Sequence, residues 1–202
     1  MRILTLSFGY PPTISGVSLV AQKLARAMVR RGHQVVVVTA SETREPYETE
    51  DEGVRLVRVQ AAPNPVWSEG PIAVPTHRQF ETLAREFSPE IVHSHDPALL
   101  ALQARRVCRE YGLPLCGTCH YVPRFVARHL SSFRGARSGI EALVWAESVW
   151  LYSWHDHVVF PTEAHRSAFL EQGLTVPTSI ISNGIDTRRY TPHPAYDGER
   201  ED

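Results

Sequence analysis

Short apolar runs alternate with helical patterns along almost the whole chain. Several of the apolar runs are rich in valine and isoleucine on both faces, which is typical of strands buried in a parallel sheet. The alternation indicates an α/β fold with a Rossmann-like, doubly wound, mainly parallel sheet of about seven strands and helices on both faces. The predicted strands are residues 2–8, 34–39, 54–59, 91–95, 115–120, 157–160 and 179–182. The predicted helices are residues 17–31, 76–86, 97–111, 138–154 and 163–172.

The first strand runs into a loop bounded by two glycines, Gly9 and Gly16, and the chain then continues directly into the first helix. Such a loop points the free backbone N–H groups of the first helical turn at whatever lies above the sheet, and these groups favour phosphate or another anion. The loop has neither the G-x-G-x-x-G spacing of a simple dinucleotide site nor the G-K-[ST] ending of a P-loop. It predicts an anion-binding loop, and the alternative is a turn that merely needs two glycines.

Three segments differ from the alternating pattern. Residues 41–53 are highly charged, and we expect a mobile loop there. Residues 61–75 contain four prolines, which predicts an irregular connection over the sheet edge. Residues 187–202 combine proline with charge and have no apolar period, which is typical of a linker leading to another domain.

The charge balance limits the partners of the protein. Lys and Arg total 21 against 22 acidic residues, so no overall field draws the chain to nucleic acid, and affinity for an anionic membrane has to be local. The start at Met1 lacks a signal-peptide pattern, and no apolar run approaches the roughly 18 residues of a spanning helix. We therefore expect a cytoplasmic protein with no nucleic-acid partner.

Three cysteines, an odd number in a chain of 202 residues, argue against a disulfide framework. Cys116 and Cys119 form a C-x-x-C pair within an apolar stretch, without a second such pair. We interpret them as buried thiols of a strand rather than as a zinc or redox site.

Ligands bind doubly wound sheets at the carboxyl ends of the parallel strands, so the polar residues just after each apolar run are the candidate site. These residues are 9–16, 94–96, 120–121, 162–163 and 183–184. His120 ends a strand where the chain must turn, and it is the candidate acid/base or hydrogen-bonding group.

His93 and His95 alternate along one predicted strand and share a face, so both could bind a metal from one side. The alternative is that one of them is a hydrogen-bonded core residue and that Asp96 is the N-cap before Pro97. Both interpretations stay open from the sequence.

Basic and aromatic residues are interleaved after His120. This composition marks either a membrane-surface or lipid-acceptor region, or a solvated arginine face above tryptophans of the core. The residues concerned are Arg124, Phe125, Arg128, His129, Phe133, Arg134, Arg137, Trp145, Trp150, Tyr152 and Trp154.

Five motifs in order resemble the N-terminal half of the family 4 retaining glycosyltransferases, which have the GT-B fold. They are Pro11-Pro12-x-x-Ser15-Gly16-Val17, Arg31-Gly32-His33-Gln34-Val35, Ile91-Val92-His93-Ser94-His95-Asp96, Thr118-Cys119-His120 and Ser182-Asn183-Gly184-Ile185-Asp186. In that family two Rossmann-like domains face each other across a cleft, the first mainly for the acceptor and the second for the nucleotide-sugar.

The resemblance implies a role for each candidate residue. Gly16, with Ser15, is expected beside the phosphate and sugar of the donor, although many members have paired glycines where this chain has Ser15-Gly16. His120 is the expected catalytic residue, in contact with the transferred sugar. The expected acceptor contacts are Tyr10, Tyr121, Arg124, His95 and Asp96, and the expected hinge residues are Asn183, Gly184 and Asp186. The resemblance implies no metal and no cofactor.

The resemblance also implies an organisation and a set of partners. Residues 1–186 are expected to form the acceptor-side domain, and residues 187–202 the start of a linker to a C-terminal donor domain that this chain lacks. The partners are a nucleotide-sugar, a sugar or lipid acceptor, the missing domain and, for a lipid acceptor, a membrane surface in peripheral contact.

Two other functions fit the same residues. One is a metal-dependent hydrolase built on His93, His95, Asp96 and His120. The other is a non-catalytic binding or scaffold module that retains a transferase fold, since fold alone does not determine function.

Overall fold

The computed structural model of the protein describes residues 1–64, 70–95, 99–124, 137–185 and 187. The strands are β1 (Arg2–Ser7), β2 (Gln34–Ala40), β3 (Tyr47–Asp51), β4 (Val54–Val59), β5 (Ala61–Ala62), β6 (Ile72–Ala73), β7 (Ile91–Ser94), β8 (Leu115–Thr118), β9 (His157–Phe160) and β10 (Thr178–Ile180). The helices are α1 (Gly16–Arg30), α2 (His77–Phe87), α3 (Leu99–Tyr111), α4 (Arg137–Tyr152) and α5 (Glu163–Glu171).

Within these residues, eight strands form one sheet in the order β10-β9-β8-β7-β1-β2-β4-β3. All neighbouring strands are parallel except β3, which pairs antiparallel with β4 at the edge. The strand order reverses at β1, because β2 and β4 lie on one side of it and β7 to β10 on the other. This is the doubly wound arrangement, and the predicted fold class is confirmed.

Successive side chains of β2 point to opposite faces of the sheet, and both faces are covered by helices. Val35 and Val37 pack in a core cluster with Ala21 and Ala25 of α1. Val36 and Val38 pack on the opposite face in a cluster with residues of α2 and α3, namely Phe80, Leu83, Ala84, Leu100, Ala104 and Val107. The run of four valines in β2, Val35 to Val38, is therefore explained by burial on both sides.

The expected mobile loop at residues 41–53 is wrong, because this segment contains the edge strand β3. Three of its five residues are exposed, and its sequence, Tyr-Glu-Thr-Glu-Asp, has no apolar alternation. Charged residues are typical of an edge strand, where they discourage pairing with another chain. The sheet consequently has one more strand than predicted.

The segment expected to be an irregular connection, residues 61–75, also contains regular pairing. β5 and β6 form a small antiparallel sheet of their own, and residues 65–69 lie outside the described ranges. Thr76 then caps α2 with a reciprocal capping box to Gln79.

A third core cluster lies under α4 and α5. Tyr152 of α4 and Phe169 of α5 pack with Val158 and Phe160 of β9 and with Cys119. Cys119 and Cys108 are buried free thiols, and Cys116 is a half-buried one, so the interpretation of the C-x-x-C pair as thiols of the β8 region agrees with the structure. None of the helices in the described ranges is long and apolar enough to cross a lipid bilayer.

Candidate functional site

The candidate site lies at the carboxyl edge of the sheet, next to the point where the strand order reverses. β1 is followed there by the loop of residues 9–16, which we call the 9–16 loop, and its neighbour β7 is followed by His95. The backbone N–H of His95 donates to the carbonyl oxygen of Leu6 at 2.7 Å. Loops after two adjacent strands on opposite sides of a switch point diverge, and the crevice between them is where doubly wound folds bind ligands.

The 9–16 loop is held by hydrogen bonds from within and from the sheet. Ser7 Oγ donates to the carbonyl oxygen of Gly9 at 2.7 Å, and the N–H of Thr13 donates to the carbonyl oxygen of Tyr10 at 3.1 Å. Arg58 of β4 donates from Nη2 to the carbonyl oxygen of Pro11. The loop is therefore positioned by a side chain from the sheet as well as by its own turns.

Arg58 is a site-supporting residue that the sequence analysis missed. Its side chain is only 3% exposed, and its Nη1 lies 2.8 Å from Glu42 Oε2. A buried charge needs a partner, and Glu42 supplies one while Pro11 accepts a further hydrogen bond. The sequence did contain a signal for this role. Arg58 stands between two valines of β4, at a position where a buried strand favours an apolar residue, so an arginine there indicates a specific partner.

The start of α1 carries the two residues expected at the donor. Ser15 is the N-cap: its Oγ accepts from the Ser18 N–H at 3.1 Å, and its own N–H donates to Ser18 Oγ at 2.7 Å. Gly16 is exposed, and a Cβ atom at this position would meet no atom within 4 Å. The first turn of the helix therefore faces open space at Gly16, as an anion-binding helix start requires.

Tyr10 does not lie where the expected acceptor contact would require. Its side chain is 1% exposed in the core beneath α1, and its hydroxyl donates to Asp51 Oδ2 of β3 at 2.7 Å. Burial raises the pKa of the Tyr10 hydroxyl, and the bond to Asp51 raises it further. We therefore withdraw Tyr10 from the acceptor contacts, because its ring and its hydroxyl are both used by the fold.

Asp51 collects hydrogen bonds from the loop and from α1. Besides Tyr10, it accepts from Gln22 Nε2 at 3.1 Å and from Arg26 Nε at 2.9 Å, and a second Arg26 nitrogen pairs with its other oxygen. The bonds from Arg26, opposed by burial, hold the pKa of the Asp51 carboxyl at about 2. The edge strand β3 is thereby joined to the elements that carry the loop.

His95 and His120 meet at the site. Nδ1 of His95 lies 2.7 Å from Nε2 of His120, and the two rings are nearly parallel, with centroids 5.0 Å apart and planes inclined by 23°. His120 is half-buried, whereas His95 is 3% exposed. Both residues were predicted from the sequence to lie at neighbouring strand ends, and the structure brings them into direct contact.

The burial of His95 corrects its expected role. An acceptor contact requires a side chain that the acceptor can reach, and His95 presents its Nδ1 to His120 instead. Its Nε2 is buried without a hydrogen-bond partner in the described part of the chain. His95 is thus a support for His120 rather than a surface for the acceptor.

Burial keeps the site histidines neutral. It lowers the pKa of His120 to about 4, with a smaller effect of the nearby His165, and it lowers the pKa of His93 to about 4. The pKa of His95 is lowered for the same reason, reinforced by His93 and His120. Neutral imidazoles can each donate one hydrogen bond and accept another, which charged rings cannot.

The metal interpretation of the histidines finds no ligand set in the residues that the structure describes. His93 Nε2 lies 2.7 Å from Thr118 Oγ1, and the facing nitrogens of His95 and His120 are bonded to each other. No three His, Cys, Asp or Glu side chains of the described ranges are grouped as metal ligands. Asp96, the fourth residue of that hypothesis, lies outside the described residues.

The remaining candidates lie around the same edge. Tyr121 is half-buried and donates from its hydroxyl to Ser148 Oγ of α4 at 3.1 Å, and its carbonyl oxygen accepts from His165 Nε2 at 2.8 Å. Arg124 is exposed and pairs with Glu141 of α4 at 3.0 Å.

The expected hinge follows the last strand of the sheet. Asn183 and Gly184 are exposed after β10, as residues of a connection leading away from the domain would be. Asp186 and residues 188–202 lie outside the described ranges, so the expected boundary at residue 186 stays a prediction.

Comparison with known proteins agrees with this architecture. The model of Glycosyltransferase Family 4 matches residues 14–189. A GDP-mannose-dependent alpha-mannosyltransferase of Mycobacterium tuberculosis is 26% identical over 199 residues, which are 95% of this chain and 50% of the relative. The chain spans about half the length of the curated relatives that align with most of it.

Two solved structures have a similar fold. Sucrose-phosphate synthase from Thermosynechococcus elongatus has a TM-score of 0.66 at 18% identity, over 95% of this chain and 50% of that protein. The Anabaena protein HepE in complex with UDP-glucose has a TM-score of 0.64 at 16% identity, over 96% of this chain and 47% of that protein. At these identities the likeness concerns the fold alone.

Proposed function

We propose that this chain, which belongs to glycosyltransferase family 4, is the acceptor-side half of a retaining glycosyltransferase. The full-length enzyme would move a sugar from a nucleotide-sugar to an acceptor hydroxyl with retention of the anomeric configuration. The observation that carries the proposal is the contact between His95 and His120. His95 follows β7, which lies next to β1 at the point where the strand order reverses, and β1 leads into the 9–16 loop. We infer from this order of strands that an anion-binding helix start and a neutral imidazole face the same crevice.

The class of donor is inferred from the ligands that the names of similar proteins contain. The aligned mannosyltransferase is GDP-mannose-dependent, and HepE forms a complex with UDP-glucose. Both ligands are nucleoside diphosphate sugars, and a diphosphate suits the first turn of α1, where free N–H groups favour an anion. We therefore assign Ser15 and Gly16 to the diphosphate and sugar of the donor.

His120 is assigned to the transferred sugar. Its ring is half-buried, and its lowered pKa leaves it neutral at pH 7. Since Nε2 is engaged with His95, Nδ1 is the nitrogen that a sugar hydroxyl can use. This arrangement orients the sugar by hydrogen bonding without placing a charge beside it.

The acceptor is assigned to the surface after His120. Tyr121, Arg124 and Asp96 remain its candidate contacts; Asp96 lies outside the described residues, and Arg124 is exposed enough to meet an anionic group. The cationic groups that stabilise the departing diphosphate are assigned to a C-terminal half, since this chain spans about half the length of its relatives. Asn183 and Gly184 are assigned to the hinge between the halves.

A lipid acceptor is supported by an apolar surface on α4. Leu143 is 71% exposed and Trp150 is 57% exposed, and the Trp150 ring packs edge-on against Trp154. Arg105 of α3 stacks over the Trp154 ring at 4.5 Å, and Arg109 is exposed one turn further along α3. In the described ranges no carboxylate lies within 4 Å of either guanidinium, although Glu147 is exposed on α4.

An exposed tryptophan close to an arginine, with an exposed leucine on the same helix, is typical of proteins that bind the interface of an anionic membrane. The apolar side chains enter the headgroup region, and the guanidinium groups meet lipid phosphates. We therefore assign the α3–α4 surface, defined by Arg105, Arg109, Leu143, Trp150 and Trp154, to peripheral contact with anionic lipid.

Removing the apolar side chains should weaken this contact. The Leu143→Ser/Trp150→Ser double variant is expected to bind vesicles of phosphatidylcholine with about one third phosphatidylglycerol at least about tenfold more weakly, because it loses the buried apolar area. Co-sedimentation of the chain with the vesicles measures this. Ile181→Ser is the matched control, since Ile181 is 61% exposed but lies after β10. Equal loss in the control, or no binding of the unchanged chain, would contradict the assignment.

The reaction is tested with the full-length enzyme and nucleotide-sugars. We expect consumption of a GDP- or UDP-sugar only with an acceptor present, and a product whose anomeric proton coupling matches that of the donor sugar. Nuclear magnetic resonance of the product measures the configuration directly. A product of inverted configuration would overturn the retaining mode. Release of free sugar that requires an added divalent metal would favour the hydrolase. Absence of any donor consumption would favour the scaffold module.

A further inference from the structure

We propose that His95 is a positioning residue that holds the His120 ring in one orientation and one tautomer. The proposal rests on the proposed function only for what His120 does to a sugar. The pairing of the two rings rests on the geometry of the chain alone.

His95 is built as a fixed support. Its backbone N–H is bonded to the carbonyl oxygen of Leu6 at the end of β1, which joins it to the neighbouring strand. Its ring is 3% exposed and lies 4.4 Å from the His93 ring, centroid to centroid. A ring packed in this way has few rotamers available, so its Nδ1 is presented to His120 at a constant position.

His120 needs such a support because part of its side chain is exposed to solvent and is not held by packing. It follows β8 by two residues, beyond the hydrogen bonds of the sheet, and it is half-buried. Its bond to His95 at 2.7 Å is therefore the described contact that restricts rotation about χ1 and χ2 of His120. A catalytic group that is already held in one orientation loses less conformational entropy when the transition state forms.

Proton counting shows that the pair also shares its tautomer. Each neutral ring carries one N–H, and the bond between Nδ1 of His95 and Nε2 of His120 contains one proton. If His95 donates, both rings are Nδ1–H tautomers; if His120 donates, both are Nε2–H tautomers. His120 Nδ1 is thus a donor or an acceptor toward the sugar according to the state of the buried ring.

Nitrogen-15 spectroscopy of the chain tests the pairing without any activity. Long-range nitrogen–proton spectra of the histidine-labelled chain at pH 7 distinguish the N–H nitrogen of each ring from the bare one. We expect His95 and His120 to show the same neutral tautomer. Different tautomers in the two rings, or a mixture averaged by exchange at His120, would overturn the proposal.

Substitution of His95 should release His120. In His95→Phe, the His120 nitrogens are expected to shift toward the average of two exchanging tautomers. His95→Asn, which keeps a hydrogen-bonding atom near the position of Nδ1, is expected to preserve most of the original His120 signal and provides a second variant if the phenylalanine does not fold. An unchanged His120 spectrum in a folded His95→Phe would overturn the proposal.

Kinetics of the full-length enzyme separate positioning from stability. His120→Ala is expected to lower kcat about tenfold, and His95→Phe nearly as much, with little change in KM for the donor. The double variant should be no slower than His120→Ala, because the two residues act as a unit. Independent, multiplicative losses would contradict positioning, as would full turnover in a folded His95→Phe.

His155→Phe is the matched control for loss of a buried imidazole. His155 is also 3% exposed, but its ring packs against Tyr152 and Gly117. We expect it to lower Tm without altering the His120 spectrum. If the full-length enzyme transfers no sugar, the proposed function fails, and the spectra of the chain still decide whether His95 fixes His120.

Discussion

The 202-residue chain alone is expected to turn over a nucleotide-sugar at least about a thousandfold more slowly than the full-length enzyme. The departing diphosphate must be stabilised by positioned donors, and the loss of one such donor typically costs about 10² to 10³ in rate. Arg58 donates to the 9–16 loop, but it is buried and already paired with Glu42. Release of nucleoside diphosphate at saturating donor, measured for both proteins, checks this expectation.

Weak binding of the nucleotide-sugar to the chain alone is compatible with this prediction, because the start of α1 remains available to phosphate. Separately produced C-terminal half, added to the chain, should restore part of the turnover in proportion to how well the two halves associate. Comparable turnover by the chain alone would show that these residues contain the whole reaction centre, and the assignment of the chain as one half of the site would be wrong.

Gly16→Val in the full-length enzyme is expected to reduce kcat/KM for the donor by about a hundredfold or more. A Cβ at this position meets no atom of the chain within 4 Å, and its φ lies outside the left-handed region, so the fold itself can accommodate a side chain. The isopropyl group would occupy the space above the first helical turn, where the diphosphate must approach the backbone N–H groups. Steady-state kinetics with varied donor measures the loss.

Gly139→Val is the control for this substitution. Gly139 is also a helical glycine with no atom within 4 Å of a Cβ, but it lies on the exposed side of α4. We expect both variants to keep Tm within a few degrees of the unchanged protein, and only Gly16→Val to lose donor turnover. Normal kinetics in Gly16→Val would mean that the 9–16 loop is a turn between β1 and α1 and does not contact the donor.

The sheet and its helices could be predicted from the sequence because burial on both faces leaves a strong apolar signal. β2 is the clearest case, since its valines are buried alternately under α1 and under α2 and α3. β3 gave no such signal. It pairs with a neighbour along one edge only, and its glutamates are exposed to solvent and do not pack in the core. Apolar periodicity reveals a strand by its buried face, and the charged edge strand β3 has no fully buried residue.

The candidate site was predictable to the level of strand ends but not of atoms. Placing His95 and His120 after adjacent parallel strands requires only the βαβ order, whereas their contact depends on the register of β7 against β8. Tyr10 shows the same limit. The loop position was correct, but the partner that draws its hydroxyl inward is Asp51, which belongs to the strand that periodicity did not detect.

The bonds of Asp51 bear on any attempt to shorten this protein. Residues 41–53 have the composition of a surface insertion that a protein engineer would delete to obtain a smaller catalyst or an easier crystal. Deletion would remove Asp51, the acceptor for Tyr10, Gln22 and Arg26, and with it Glu42, the counter-charge of Arg58. The segment that looks most dispensable thus supplies the partner of Tyr10 in the 9–16 loop and the counter-charge of the arginine that bonds this loop at Pro11, so we expect its deletion to loosen the loop.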